Sequence, residues 1–299
     1  MLERLHWSHF LLGLFILASV AFLASPAAEE LRTGLNPKRG ELAVIQLNGP
    51  IRYGNGFRSE GVSPGMVSDL TEKAVGGGAD AILYEINSGG GAVVASRQVA
   101  QVIEEAGVPT VCRMKEVAAS GAYWAASACD RIVADPLTLT GSIGVSSTYL
   151  EFSGLLNRFG VEYVNLTSAR YKDMGSQYKN LTQEERQRFN EILNTTHRYF
   201  VRSIAENRNL SVEQVEKAAT GEVFLGREAK RLGLVDRLGG RQEAVDLAEN
   251  LTNTTELETD TYSPPQRFDL LSYLFSSLGE GIARGLKGSV SSDTRRRLS

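Results

Sequence analysis

A chain of 299 residues, 42% of them hydrophobic, is long enough to bury a substantial core in one large domain or two small ones. Its formal charge of −3 at pH 7 and the lack of a long basic run exclude a protein built to bind nucleic acid. With two cysteines and three histidines, neither a metal site nor a cofactor is expected. Cys112 and Cys129 are predicted to be buried free thiols, with a disulfide between them as the alternative.

The N-terminal segment is predicted to be a membrane anchor. No charged residue occurs from Phe10 to Ala28, and this apolar run approaches the ~20 residues that a helix needs to cross a bilayer. Arg4 precedes the run and two glutamates follow it, which indicates a cytoplasmic N-terminus and an extracytoplasmic body. Residues 1–28 are therefore predicted to be a short cytoplasmic stub and a single-pass transmembrane helix in the cell membrane. A cleaved signal peptide is the alternative, and it exports the body as well.

The body alternates between predicted strands and helices after a polar linker at residues 29–40. Hydrophobic patterning predicts strands at 41–48, 79–87, 109–114, 131–134 and 161–166, and helices at 65–75, 92–106, 120–128 and 150–159. Strands separated by helices of this length indicate βαβ units and a largely parallel sheet. The sequence therefore predicts an α/β fold for residues 41–250.

Helices are predicted to dominate after residue 180. Capping boxes at Thr182 and at Ser211 open two of them, the first running to about Asn207. A short helix ending at Gly233 and a helix at about 241–250 follow. The remainder, residues 251–299, is predicted to be a flexible tail, unpacked over 251–266. An apolar stripe over 268–287 predicts an amphipathic helix that lies on the membrane, on a partner subunit or on the chain's own core.

A glycine-rich turn is the first candidate for chemistry. In the segment INSGGGAVVAS (86–96), three consecutive glycines follow a predicted buried strand and precede a helix. Backbone amides at a helix N-terminus can bind a negatively charged oxygen, and glycine permits their close approach. An ordinary strand-to-helix turn is the alternative.

A serine and two lysines are the next candidates. Ser120 begins a predicted helix after a strand and a short loop, where the positive end of the helix dipole favours an alkoxide. A simple helix N-cap is the commoner role for such a serine. The body's one histidine, His197, lies inside a long predicted helix, so a Ser-His-Asp triad is not expected. A desolvated lysine can act as the base instead, and Lys172 and Lys179 are the candidates.

Taken together, these segments resemble the signal peptide peptidase A family of serine peptidases, which share the Clp protease/crotonase fold. The resemblance covers roughly residues 41–250. It is carried by INSGGG, AASGAYWAASACDRIVAD (118–135), LTGSIGV (139–145), YKDMGS (171–176) and GLVDRLGG (233–240). The family usually has proline at the position of Gly89, and its replacement is expected to loosen the turn without removing the amides.

The resemblance implies a fold of stacked βα units with a helical C-terminal region, and it implies roles for particular residues. Ser120 would be the nucleophile and Lys172 its general base, while Ser142 would support the lysine. The amides of Gly90 or Gly91 and of Gly121 would bind the oxyanion. Lys179 is off the family's lysine position and is interpreted as a surface residue.

Relatives of this type assemble into rings or domes with sites that adjacent protomers can share. The implied protein is a membrane-anchored endopeptidase that self-assembles, needs no cofactor and cleaves hydrophobic peptides such as signal-peptide remnants. Two alternatives on the same fold are a crotonase-like acyl-coenzyme A enzyme and a catalytically inactive membrane scaffold.

Overall fold

A computed structural model describes residues 39–54 and 61–263 of the chain. The predicted anchor at 1–28 and the predicted amphipathic helix at 268–287 lie outside the described residues. In the part that is described, no helix combines the length and the hydrophobicity required to span a membrane. The anchor therefore stays a prediction.

The described part of the chain alternates between strands and helices. In chain order the elements are β1 (Arg39–Asn48), α1 (Pro64–Gly77), β2 (Ala81–Ser88), α2 (Val93–Glu104), β3 (Thr110–Ala119), α3 (Gly121–Ser127), β4 (Arg131–Ala134), β5 (Leu139–Gly141), α4 (Ser153–Arg158), α5 (Gln183–Arg208), α6 (Val212–Ala218), β6 (Val223–Leu225), α7 (Gly226–Arg231), β7 (Arg237–Leu238), α8 (Arg241–Thr252) and β8 (Glu256–Tyr262). Both predicted capping boxes, at Thr182 and Ser211, are present at the starts of α5 and α6.

The strands form one mixed sheet that confirms the predicted parallel α/β architecture. Its main path runs β6-β5-β3-β2-β1-β8, and β4 joins β3 to β7. Every pairing is parallel except that between β5 and β6. The first half of β3 pairs with β4 and its last three residues pair with β5, so the carboxyl end of β3 extends beyond β4. Ser120 follows directly at this projecting end.

Alternate residues of the strands enter two separate cores. In β1, Leu42 and Val44 pack with Ala244 and Ala248 of α8, whereas Ile45 and its neighbours on the opposite face pack with α1, α2, α3 and α5. Successive side chains of a strand point to opposite faces, so helices must cover both. This is why the central strands read as continuous apolar runs rather than as alternating ones. The sheet is thereby a rigid support for the turns at its edge.

Two sequence predictions about secondary structure are wrong. Residues 161–166 were expected to form a strand, but they adopt no regular structure and are all exposed, because no other strand of the described sheet pairs with them. Residues 251–266 were expected to be unpacked, yet 256–262 form β8. The backbone of β8 pairs in parallel with β1, and this pairing does not depend on the hydrophobic alternation used to predict strands.

The cysteine prediction is confirmed, because Cys112 and Cys129 are both buried and both free. Burial is the main cause that raises the pKa of the Cys129 thiol. A thiol that stays protonated is a poor nucleophile. These two residues therefore belong to the core and not to a reactive site.

Candidate active site

The turn between β3 and α3 holds Ser120 in a strained conformation. Its backbone has φ +55° and ψ −126°, and a positive φ is uncommon for any residue other than glycine. The Ser120 amide donates to Gly141 O at 2.8 Å, and Trp124 N donates to Ser120 O at 3.0 Å, so both sides of the residue are fixed. Its side chain makes no capping hydrogen bond to α3, so the alternative that Ser120 serves as an N-cap is wrong. The short loop expected before Ser120 is also absent, because β3 continues to Ala119.

The glycine-rich turn packs directly against this serine. Gly90 has φ +93°, and a Cβ at that position would lie 3.1 Å from Ser120 Cβ and 2.6 Å from Gly121 N. A Cβ on Gly91 would lie 2.0 Å from Ile51 O. No other residue fits at either position without moving backbone, which explains why two adjacent glycines follow β2. The turn and Ser120 are thus a single packed unit.

The two candidate oxyanion donors in this turn differ in what they contact. The Gly90 amide donates to Ser88 Oγ at 3.1 Å, so it already has an acceptor. Gly91 lines a cavity beside Ser120, and Gly121 lines the same cavity. The geometry therefore favours Gly91 over Gly90 as the partner of Gly121. A Cβ on Gly89 would meet no atom within 4 Å, so this position has room for a larger residue such as proline.

The cavity beside Ser120 has a volume of about 110 Å³ and two kinds of lining. Its polar lining includes Gly91, Ser96, Ser120 and Gly121, and its apolar lining includes Val93, Trp124, Val145 and Phe200. The Trp124 ring stacks on Phe200 with centroids 4.4 Å apart, and its Nε1 donates to Ser203 Oγ at 2.8 Å. Among the described residues, none that lines the cavity carries a charged side chain. Ser120, Gly91 and Gly121, the candidate nucleophile and candidate oxyanion donors, thus line one cavity of a single chain, and no lysine lines the described cavity with them.

Ser142 lies next to the residue that holds Ser120. It follows Gly141, whose carbonyl accepts the Ser120 amide, and its own backbone has φ +50°. Ser142 N donates to Glu222 O at 2.6 Å. None of the described hydrogen bonds joins Ser142 to Lys172, so a supporting role for its hydroxyl stays a prediction.

The two candidate lysines have different surroundings. Lys179 Nζ lies 2.7 Å from Glu185 Oε1 and 3.0 Å from Asp173 Oδ2. These carboxylates, Glu185 above all, raise the pKa of Lys179 and keep it protonated. Lys179 therefore is not a base. It is also partly buried and ion-paired, whereas the sequence predicted a surface residue.

Lys172 is solvent-exposed and is not among the residues that line the cavity. Its backbone amide donates to Ala169 O at 3.1 Å in a short turn. The surrounding residues 144–184, which we call the exposed arm, contain no buried residue. Within a single copy of the chain, Ser120 thus lies in a packed turn, whereas Lys172 lies on an exposed surface.

Several lining residues were not predicted from the sequence. Trp124 lies inside a quoted motif but was assigned no role, and Phe200 is 76 positions further along the chain. Ser96 belongs to α2 and is the last residue of the segment INSGGGAVVAS, but it was assigned no role. His197 lies inside α5, as expected, and is not one of the cavity residues. Only the packing of α2, α3 and α5 brings the missed residues to one place.

Comparison with known sequences identifies the family of the chain. The sequence model of peptidase family S49 matches residues 103–255, just over half of the chain. The chain belongs to peptidase family S49. The match begins in α2 and includes Ser120, Ser142 and Lys172. Membership identifies the chain as a peptidase. It therefore argues against the alternative of a crotonase-like acyl-coenzyme A enzyme.

Individual relatives support the assignment. A putative protease of Methanocaldococcus jannaschii is 34% identical, with 69% of this chain and 68% of that protein covered. A putative signal peptide peptidase SppA of Enterococcus faecium is 33% identical, covering 74% of this chain and 63% of the relative. The chloroplastic serine protease SPPA of Arabidopsis thaliana is 31% identical over 85% of this chain but only 39% of the relative. The chain therefore matches some S49 proteases over two thirds of their length and longer ones over little more than a third.

A solved structure shows the same fold. It is a mutant of the 1510-N membrane-bound stomatin-specific protease in complex with a substrate peptide. The TM-score is 0.51 at 15% identity, with 79% of this chain and 98% of that chain covered. At this identity the likeness concerns the fold alone. It is consistent with the α/β architecture built around the parallel sheet.

Proposed function

We propose that the protein is a membrane-anchored serine endopeptidase in which Ser120 is the nucleophile and Lys172 is the general base. The observation that carries the proposal is the strained turn at Ser120. Its hydroxyl lies beside a cavity that Gly91 and Gly121 also line. Strain of this kind persists at functional sites because it positions a reactive group. A sharp strand-to-helix turn carries the nucleophilic serine in other hydrolases as well.

The chemistry follows the usual course of acyl transfer. Ser120 Oγ attacks the scissile carbonyl carbon while its proton passes to the neutral lysine amine. The carbonyl oxygen becomes an oxyanion that accepts hydrogen bonds from the amides of Gly91 and Gly121. Collapse of the intermediate breaks the C–N bond, and the lysine returns the proton to the leaving amine. Water, deprotonated by the same lysine, then hydrolyses the acyl-enzyme.

The base is proposed to come from a neighbouring copy of the chain. Lys179 is held in its charged form by two carboxylates, which leaves Lys172 as the candidate in the arm. A lysine is neutral near pH 7 only when it is removed from water, whereas Lys172 is exposed in one copy. Burial against a second copy would both desolvate the amine and bring it to a serine. The site is then complete only in an assembly.

The surface of the exposed arm supports self-assembly into a closed ring or dome. Large apolar side chains there are strongly exposed: Leu150 (68%), Phe159 (75%), Val164 (71%) and Leu166 (93%). Exposed apolar clusters of this kind mark interaction surfaces. They lie in the same segment as Lys172. Contacts that bury them would therefore also order the lysine.

Hydrophobic peptides are the proposed substrates. Trp124, Phe200 and two valines form an apolar wall, and no charged side chain lines the described cavity. An apolar side chain gains free energy by leaving water for such a wall. The name of the Enterococcus faecium relative and the predicted anchor at 1–28 are consistent with remnants of signal peptides at the membrane, with the catalytic body outside the cytoplasm.

Active-site labelling tests the proposal. The protein is treated with a fluorophosphonate or a peptide aldehyde, and mass spectrometry locates the adduct, which we expect on Ser120. Ser120→Ala should lower peptide hydrolysis by roughly 10⁴-fold or more. Lys172→Ala should lower it by roughly 10²- to 10⁴-fold. Lys179→Ala is the matched control, and it should keep most of the activity because Lys179 serves only an ion-pair cluster.

The same experiment separates the proposal from its alternatives. A catalytically inactive scaffold would show no adduct on Ser120 and no hydrolysis by the wild type. An acyl-coenzyme A enzyme would bind coenzyme A esters and leave a casein substrate intact. Equal activity of wild type and Ser120→Ala would refute the nucleophile, and full activity of Lys172→Ala would refute the base.

A further inference from the structure

Ser96 carries a buried hydroxyl that has no hydrogen-bond partner. The residue is the fourth of α2 and is 0% exposed. Among the described atoms, none forms a hydrogen bond with its Oγ. Buried hydroxyls are almost always paired, so an unpaired one requires an explanation. A helical serine can donate to the carbonyl four residues earlier, but here Ala92 O accepts only the Ser96 amide, at 2.9 Å.

Ser96 is one of the residues that line the cavity beside Ser120. A Cβ added to Gly121 would be 2.1 Å from Ser96 Oγ and 3.4 Å from Gly91 N. Ser96 Oγ, the Gly91 amide and the backbone of Gly121 therefore converge on one small volume. Glycine at 121 leaves that volume open to the hydroxyl.

The groups around this volume are hydrogen-bond donors. Gly91 and Gly121 supply amides, Ser96 supplies a hydroxyl, and no carboxylate lines the described cavity to accept from them. A site that offers several donors and no competing carboxylate is matched to an oxygen that carries or develops negative charge. The missing hydrogen bond of Ser96 then indicates that its hydroxyl is positioned in advance to donate to such an oxygen. Its acceptor arrives with the substrate.

We propose that Ser96 is a third oxyanion-hole residue, which donates its hydroxyl hydrogen to the substrate oxygen in the tetrahedral intermediate. The inference rests on the proposed function, because it assumes attack by Ser120 at this cavity. No proton or covalent bond is transferred at Ser96. The hydroxyl contributes a hydrogen bond that is strongest when the oxygen is negatively charged, so it acts on turnover rather than on binding of the uncleaved peptide.

Ser96→Ala tests the inference because it removes the hydroxyl and keeps the Cβ. We expect kcat for a peptide substrate to fall by roughly 10²- to 10³-fold with KM changed less than about twofold, as when one oxyanion donor is lost. Inhibition by a peptide aldehyde, whose adduct with Ser120 contains the same oxyanion, should weaken by a similar factor. The melting temperature should not fall, because removing an unpaired buried hydroxyl leaves no other group unpaired.

Ser127→Ala is the matched control. Ser127 is likewise 0% exposed, but its hydroxyl donates to Trp124 O at 2.7 Å and accepts from Asn207 Nδ2 at 3.0 Å. Its removal should lower the melting temperature and leave kcat and aldehyde inhibition near wild type. Ser96→Cys is a second test variant, because a thiol has a similar size and is a weak donor. It should show the same loss of kcat as Ser96→Ala.

Three outcomes would overturn the inference. If Ser96→Ala and Ser96→Cys both keep wild-type kcat and aldehyde inhibition while the wild type is active, the hydroxyl takes no part in turnover. If both variants fail to fold, Ser96 has a structural role. If the wild type hydrolyses no peptide and forms no adduct at Ser120, the proposed function fails as well, so the two failures are distinguishable.

Discussion

The turn that carries Ser120 and the exposed arm that carries Lys172 are built in opposite ways. All seven residues of α3 are buried. Ser120 is fixed by two hydrogen bonds, because its amide donates to Gly141 O of β5 and its carbonyl accepts from Trp124 N of α3. In the arm, all twelve residues from 161 to 172 are exposed, including Val164 and Leu166. The two segments that a Ser-Lys peptidase must bring together thus differ in whether one chain can order them.

This difference shows which part of the candidate site a single chain can stabilise. The sheet and the two cores on its faces support Ser120 and the glycine-rich turn within a single chain. The arm has apolar side chains that its own chain does not cover. A site divided in this way would be active only in the assembled protein, which would restrict peptide hydrolysis to the finished complex. Three experiments test whether the exposed arm depends on a neighbouring copy while the turn at Ser120 does not.

The largest effect is expected from mixing two inactive variants. Co-expression of Ser120→Ala with Lys172→Ala should form mixed assemblies in which an intact serine meets an intact lysine from a neighbour. Activity should return to a clearly measurable fraction of wild type, although each variant alone is lowered by several orders of magnitude. Peptide hydrolysis by the purified mixture is the measurement. Co-assembly without any return of activity would show that both groups act within one chain.

A smaller effect is expected from a charge on the arm. Leu166 is 93% exposed, so Leu166→Asp should not lower the stability of an isolated chain. If this surface is an interface, the variant should sediment as a smaller species and lose roughly tenfold or more in activity, because a buried unpaired carboxylate opposes association.

Leu232→Asp provides the control, at an apolar residue that is 39% exposed and lies outside the arm. Its sedimentation and activity should match the wild type. A Leu166→Asp protein of unchanged size and activity would argue that the exposed apolar residues are not an interface.

The smallest effect is expected from a substitution of Glu185, in the first turn of α5 where the exposed arm ends. Glu185 Oε2 accepts from Thr182 N at 2.9 Å to close the capping box, and Oε1 accepts from Lys179 Nζ. Glu185→Gln should therefore lower the free energy of unfolding by about 1 kcal/mol at pH 7. The hydrogen bond and charge of Lys179 are the main cause that lowers the pKa of Glu185 below its ordinary value of 4.5.

The sign of the pH effect follows from that lowered pKa. A carboxyl with a lower pKa in the folded state contributes stability above pH 4.5, and this contribution is lost as the pH falls through the folded-state value. The gap in melting temperature between wild type and Glu185→Gln should accordingly narrow below about pH 4.5. A gap that stays constant down to pH 3 would show that the charge of Glu185 does not stabilise the helix start.

Local signals in the sequence were sufficient for much of the fold. The apolar runs of β1 and β2, the capping boxes at Thr182 and Ser211 and the free cysteines could all be predicted. β8 could not, because a polar edge strand is stabilised by backbone pairing with β1 rather than by a hydrophobic pattern. The apolar run at 161–166 was misassigned for the converse reason. Hydrophobicity indicates that burial of a segment is favourable, but it does not indicate which surface of the protein covers the segment.

Local sequence was enough to predict the family motifs, the parallel α/β fold and the placement of Ser120 after a strand, since each depends on residues close together in the chain. The tertiary structure alone decided that Gly91 rather than Gly90 lines the cavity, that Lys179 is charge-paired and that the Ser96 hydroxyl has no partner. These facts depend on distances between elements far apart in sequence. Such distances are set by how helices pack on the sheet, and no local pattern encodes them.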